Sequence, residues 1–343
     1  MTHYIGLQGL RFVAAALVVA MHASLYMAQR TQGLSTTDYW QAGGFGVDIF
    51  FVISGFVMGH TSPVRGPWGQ LNGAEAKTFL LRRLIRIVPM YWLYTLAKLV
   101  VLLLLPSLAL RNSLDPTHLL ASFAFWPHRD AAGAFFPLLQ VGWTLNFEML
   151  FYAVYALALL WRLPALPWTL LCYAALVGLA QWGGPDSAWA FWAQPLFLEF
   201  ALGLALASLR APLERLGPVM GLGLAALGWA WWALGWPAPA WAAVLGSGLP
   251  ALLIVAGTLG LEPWFRQMRG AAWLNRGGDI SYAIYLSHTF VVPLLVAGLV
   301  RLGWPSAAWA VLLSLVLVPL VADAIYRWVE QPCTRALKAR WVP

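Results

Sequence analysis

The residues able to do chemistry in this sequence are the few ionisable groups that interrupt its long apolar runs. Arg11 and His22 share the first run. Eleven residues at 3.6 per turn make about three turns, so on a helix both side chains share a face about 16 Å apart. Asp48 lies about five residues into the second run and Glu148 about five into the fourth, each counted from the side on which His22 falls. Three helices would then bring one imidazole and two carboxylates to one level. A histidine with a carboxylate to orient it can act as a general base. Each residue also has a plain structural reading: a snorkelling arginine, a histidine hydrogen-bonded between helices, carboxylates capping helix ends.

A second group has a different character. The segment FLLRRLIRIVP places Arg82, Arg83 and Arg86 at the start of the third run, with 83 and 86 one turn apart on one face. Clustered guanidiniums recognise phosphate in bidentate fashion, although arginines at the end of a span also serve as topological anchors. His60, at the far end of the second run, is open to both readings. In GGDISYAIYLSHTFVV, Ser281, Tyr285 and His288 recur at i, i+4 and i+7, a polar stripe suited to face protein or water rather than lipid. Glu199 and Asp323 are further buried acids, read as structural partners. Gly55 and Gly59 are spaced for close helix approach.

The elements that position these groups follow from composition. The chain has 343 residues, of which 21 are Lys or Arg and 13 Asp or Glu, and 61% are hydrophobic, with 21 tryptophans. Charged residues make up 10%, against about 25% in an ordinary soluble domain. This excludes a cytosolic enzyme, a disordered chain and a nucleic-acid-binding domain, and the net charge of +8 is scattered between apolar runs. The two cysteines, Cys172 and Cys333, exclude a disulfide framework and a cysteine metal cage. Ten runs approach the length of about 20 residues that crosses a bilayer: 8–28, 43–61, 84–106, 143–161, 166–182, 190–209, 217–235, 240–261, 279–300 and 306–328. The expected architecture is all-α, a polytopic membrane bundle of about ten helices forming a single domain over 1–343 with no fused soluble domain. The first run carries His22 and lacks a basic segment before Arg11, so it reads as an uncleaved span. With the N-terminus in the cytoplasm, the inward segments carry 15 Lys or Arg and the outward loops 4, counted over the short connections. Both termini are therefore expected in the cytoplasm.

Taken together, the motifs resemble the membrane-bound acyltransferase family 3, the O-acyltransferases of bacterial surface polysaccharides. GLQGLRFVAAALVVAMHAS is similar to its Arg-x10-His opening and GGFGVDIFFVISGF to its second span. RRLIRIVPMYW, GWTLNFEMLFY, ISYAIYLSH and the closing VEQP resemble its later signatures. The resemblance spans nearly the whole chain. It implies transfer of an acyl group, read as acetyl, from acetyl-CoA to a hydroxyl of an exopolysaccharide or its lipid-linked precursor, at the bacterial inner membrane and without a metal. His22 would be the essential catalytic residue, with Glu148 and Asp48 supporting it. Arg11, Arg82, Arg83, Arg86, His60, Tyr285 and His288 form the expected donor-side set. Membrane lipid and polysaccharide-assembly proteins are the expected partners, and no nucleic acid. Two rivals remain open: a proton-coupled transporter using the buried groups as a relay, and an export scaffold without catalysis.

Overall fold

The computed structural model describes residues 4–33, 35–61, 75–104, 115–235 and 244–342, and those residues form helices joined by short turns, with no strand among them. The helices are α1 (Ile5–Gln32), α2 (Gly46–Thr61), entered through a 3-10 turn at Gln41–Phe45, and α3 (Glu75–Leu104). Next come α4 (Pro116–Phe123), α5 (Trp143–Trp161), α6 (Ala165–Gly183), α7 (Ala188–Trp192) and α8 (Leu198–Ser208). The chain continues through α9 (Arg210–Glu214), α10 (Gly217–Leu234), α11 (Leu249–Gly260) and α12 (Glu262–Phe265). It ends with α13 (Ala271–Arg301), α14 (Ala307–Ile325) and α15 (Gln331–Trp341).

Among the described residues, eight helices are long and apolar enough to cross a membrane, and two apolar helices, Pro195–Ser208 and Val244–Gly260, are shorter. Each of the ten expected runs is mostly helical over its described residues, but two differ from plain spans. The run at 190–209 breaks before Pro195: Gln194 is extended, at φ −62 and ψ 144, because a residue preceding proline is pushed out of the helical region. The run at 240–261 starts, where it is described, as a π-helical turn at Val244–Gly248 leading into Pro250. Conversely, α13 begins eight residues before the expected 279, carrying Asn275, Arg276 and two glycines. Arg65 and Arg111, two of the charges in the topology count, lie outside the described residues.

Close packing rests on small residues where two backbones meet. A Cβ on Gly55 would lie 2.1 Å from the Phe200 carbonyl oxygen, and one on Gly203 would lie 2.1 Å from that of Val52. Helices α2 and α8 are thus in mutual backbone contact, as small-residue spacing allows. α1 and α13 run parallel in a fixed register: a Cβ on Gly278 would strike Gln8, and one on Gly277 would strike Phe12. The start of α1 is tied down from a distance. Glu262, buried, accepts from the free backbone N–H groups of Ile5 and Gly6 at 2.9 Å each, which satisfies two of the four orphan donors at a helix start. One apolar cluster gathers residues of α3, α5 and α8, a second those of α1, α2 and α11, and a third forms the α1–α13–α14 seam.

Candidate functional site

Two open cavities, of about 800 and 850 Å³ with their mouths included, meet at Arg11 and Arg86, which line both. The first runs between α1, α2, α3, α5 and α13, and its polar lining includes Arg83, Ser54, Glu148, Tyr152, Thr144 and Tyr285. The second lies at the end of the bundle where α1 and α13 begin. It is lined by Gln8, Asp279, Tyr326, Glu330, Gln331, Thr334, Arg335 and Lys338 as well as the shared arginines. Arg83 and Arg86, one turn apart on α3, do face one space, as their spacing predicts. Arg82 is exposed on the neighbouring face of α3 and lines neither cavity.

Charge is left unbalanced here. Among the described residues, Arg129, Arg266, Arg276 and Arg327 each form an ion pair, whereas Arg11, Arg83, Arg86, Arg335 and Lys338 form none. Arg11 instead donates to Gln8 Oε1 at 3.1 Å, and Arg83 to Thr61 Oγ1 at 3.2 Å. Glu148, Asp279 and Glu330 line the same cavities as these five cations without closing an ion pair, so positive charge is in excess there. An anion entering the cavity would supply the missing partner.

The two carboxylates expected at the level of His22 have other partners. Glu148 accepts from Ser54 Oγ at 3.3 Å and from Tyr152 through a short hydrogen bond, and it lines the arginine cavity. Asp48 is directed at Glu199 and Ser247, and Ser247 Oγ in turn donates to Glu199 Oε1 at 3.5 Å. That acid pair joins α2, α8 and the π turn, and neither acid reaches His22. Depth along separate helices agrees, but the helix faces differ: Asp48 is turned toward α8 and Glu148 toward α2 and α3.

His22 has another neighbour. Its ring centroid lies 4.8 Å from that of His288, at an interplanar angle of 54°. His288, expected in the donor-side set, is fully buried beside His22. Both rings are anchored alike. His22 Nδ1 sits 2.9 Å from the Val18 carbonyl, and His288 Nδ1 sits 3.2 Å from the Ile284 carbonyl, each four residues back on its own helix. A carbonyl only accepts, so each Nδ1 carries a proton and each Nε2 a lone pair. His288 Nε2 has no hydrogen-bond partner.

Tyr285 connects this pair to the cavity. Its ring is 5.9 Å from His288, and its hydroxyl lies 2.8 Å from Thr144 Oγ1 and donates to the Val141 carbonyl at 2.9 Å. Tyr285 therefore lies at the cavity wall, as the polar stripe suggests, with His288 and then His22 behind it. Neither histidine lines the cavity itself. His60 lies elsewhere. It packs edge-on to Tyr4 at 5.1 Å, stacks on Phe56 at 5.8 Å, and has Arg210 within 2.7 Å of Nδ1, in neither cavity. Among the described residues no group of three or more His, Cys, Asp and Glu is placed to hold a metal ion.

The residues that sequence reasoning did not single out are Tyr152, Ser54, Glu330, Arg335 and Lys338. The last two had a signal, since their spacing puts them on one face of α15.

Comparison with known proteins agrees with the helical pattern. A family profile described as an acyltransferase domain matches residues 4–327. The exopolysaccharide production protein ExoZ of Rhizobium meliloti (strain 1021) is 36% identical over 324 residues, covering 90% of this chain and 94% of that protein. The acyltransferase MdmB of Streptomyces mycarofaciens is 27% identical, over 97% of this chain and 92% of that one. A putative peptidoglycan O-acetyltransferase, YrhL of Bacillus subtilis (strain 168), is 28% identical over 62% of this chain and 34% of its own length. No solved structure gives a significant match. An all-helical chain rich in membrane-length helices, with the Arg11–His22 helix beside an arginine-lined cavity, belongs to the membrane-bound acyltransferase family 3.

Proposed function

We propose that this chain is an inner-membrane O-acetyltransferase that takes its acyl group from acetyl-CoA in the cytoplasm. The acceptor is a hydroxyl of an extracytoplasmic polysaccharide or of its lipid-linked precursor. The observation that carries this reading is that Arg11 and Arg86 line both cavities. The phosphates of CoA cannot enter hydrocarbon, and the unpaired cations Arg11, Arg83 and Arg86 give them a destination at the mouth. The slender pantetheine arm then runs along the first cavity toward Thr144 and Tyr285. About 16 Å separates Arg11 from His22 along α1, a span comparable to the reach of that arm.

His22 acts as the general base. With Nδ1–H committed to the Val18 carbonyl, Nε2 is the nitrogen free to take the acceptor's proton. The alkoxide oxygen attacks the thioester carbon, the C–S bond breaks, and the departing thiolate recovers the proton as CoA-SH. Glu148, hydrogen-bonded by Ser54 and Tyr152, tempers the positive field around the arginines instead of serving the imidazole. The kinship with an exopolysaccharide production protein favours an exopolysaccharide acceptor.

The test uses membranes containing the full chain, supplied with acetyl-labelled acetyl-CoA and host polysaccharide. Label should appear in saccharide ester and free CoA should be released, both dependent on the protein. A transporter would move solute and release no CoA, and that result would overturn the reading. Orientation is checked with single cysteines in a Cys172/Cys333-free background. Ala132→Cys should react with an impermeant thiol reagent from outside, and Arg340→Cys from inside only. The reverse pattern would place the arginines on the wrong side for a cytoplasmic donor.

A further inference from the structure

We propose that His288 is the proton partner of His22, a positioning residue that holds the proton His22 removes from the acceptor hydroxyl. The inference rests on the reading of His22 as general base and extends it to a residue on a different helix.

The argument starts from tautomers. Each ring donates Nδ1–H to the carbonyl one turn back on its own helix. Two neutral imidazoles held this way present two lone pairs at Nε2 and no proton between them. They cannot hydrogen-bond to each other, which agrees with the unpartnered Nε2 of His288 despite a ring separation of 4.8 Å. A buried acceptor without a donor is left with its desolvation uncompensated. It is retained beside the apolar seam of α1, α13 and α14.

Protonation of the pair removes that deficit. When His22 accepts the hydroxyl proton at Nε2, it becomes a donor beside the ring whose own Nε2 lacks one. The proton then resides on either imidazole until the thiolate takes it, so charge and atoms balance over the cycle. The titratable groups nearest the pair are Tyr26 on α1, 6.1 Å from His22, and Tyr285 on α13, 5.9 Å from His288. α3 presents Tyr94 beside Phe290, and α14 carries the buried, unpartnered Ser314 on its seam face. Asp48 and Glu148 are engaged with Glu199 and Tyr152.

The experiment compares purified full-length protein with His288→Ala and His288→Gln, recording kcat, KM for acetyl-CoA and the pH profile of kcat. Loss of the partner should lower kcat about 10²-fold, the lower end of what a positioned acid–base group supplies, with KM unchanged. It should also move the acid limb of the profile to lower pH, because an isolated His22 holds its proton less tightly than one sharing it. A role in packing would scale the profile without moving that limb. His288→Gln keeps the volume and a hydrogen bond but cannot hold a proton, so it should behave like His288→Ala. If the alanine variant fails to fold, the glutamine variant gives the same readings. Wild-type kcat in either variant, or an unmoved acid limb, would overturn the pairing. His22→Ala separates the two levels: an active His22→Ala sinks the proposed function, whereas an inactive one beside a wild-type His288→Ala sinks only the partnership.

Discussion

The arginine cavity and the imidazole pair are built on the same two helices, α1 and α13, by opposite rules. Around Arg11, Arg83 and Arg86 an open cavity lies between α1, α2, α3, α5 and α13, and positive charge exceeds that of the carboxylates in its walls. Around His22 and His288 the helices close, the groups are neutral in their resting tautomers, and the wall is the apolar seam of α1, α13 and α14. The first region is suited to hold a charged ligand, and the second to move one proton where water is scarce. A single helix carries both tasks because three turns separate them.

The comparison is broken most severely by His22→Ala. Acetyl transfer should fall about 10²–10⁴-fold, while the protein still inserts and elutes as a folded species in size-exclusion chromatography. Near-normal transfer would reduce the imidazole pair to packing. Next in size are Arg83→Ala and Arg86→Ala, which should raise KM for acetyl-CoA more than they lower kcat. A charge-assisted contact is worth about 1.5–3 kcal/mol, or about 10- to 150-fold in affinity. Donor titration that finds an unchanged KM would return both residues to the role of topological anchors.

Glu148→Gln sharpens the boundary between the regions. Glutamine retains a carbonyl oxygen for Ser54 and Tyr152, so its effect should be a few-fold change in KM, with kcat and the acid limb held. A loss of kcat as deep as that of His22→Ala would reconnect this carboxylate to the proton chemistry. The smallest effect lies outside both regions. Asp115 caps α4 by accepting from the backbone N–H groups of Thr117 and His118, and its carboxyl is held below the usual carboxylate range chiefly by its hydrogen bonds to Thr117. Asp115→Ala should cost about 0.5–2 kcal/mol of stability, read as a lower Tm, with both kinetic constants unchanged.

The bundle itself was legible in the sequence because lipid forces a continuous helix wherever about 20 apolar residues must cross. The one-turn spacing of Arg83 and Arg86 also carried over, since both belong to one helix. What was not legible is how faces of different helices turn toward each other. Counting residues into a span gives depth and says nothing of azimuth: Asp48 shares an expected level with His22, but its side chain meets Glu199, 151 positions on. His288 was assigned to the donor although α1 and α13 start at the same end of the bundle. Ring positions 22 and 288 each fall 17 residues beyond the first residue of their helices. That coincidence is invisible while α13 is taken to start at 279.

Two turns of the bundle are wider than their neighbours. The π turns at Val244–Gly248 and Tyr326–Glu330 each accommodate one residue more than an α-helix would at that place. Each α-helical residue advances the side-chain direction by about 100°, so everything downstream of such a turn is rotated by that amount. The second turn sets the bearing of α15, and with it Arg335 and Lys338. The same residues wound there as unbroken α-helix would swing those two cations away from Arg11 and Arg86 by that amount. Aim, in this molecule, is set by an added residue rather than by a bend.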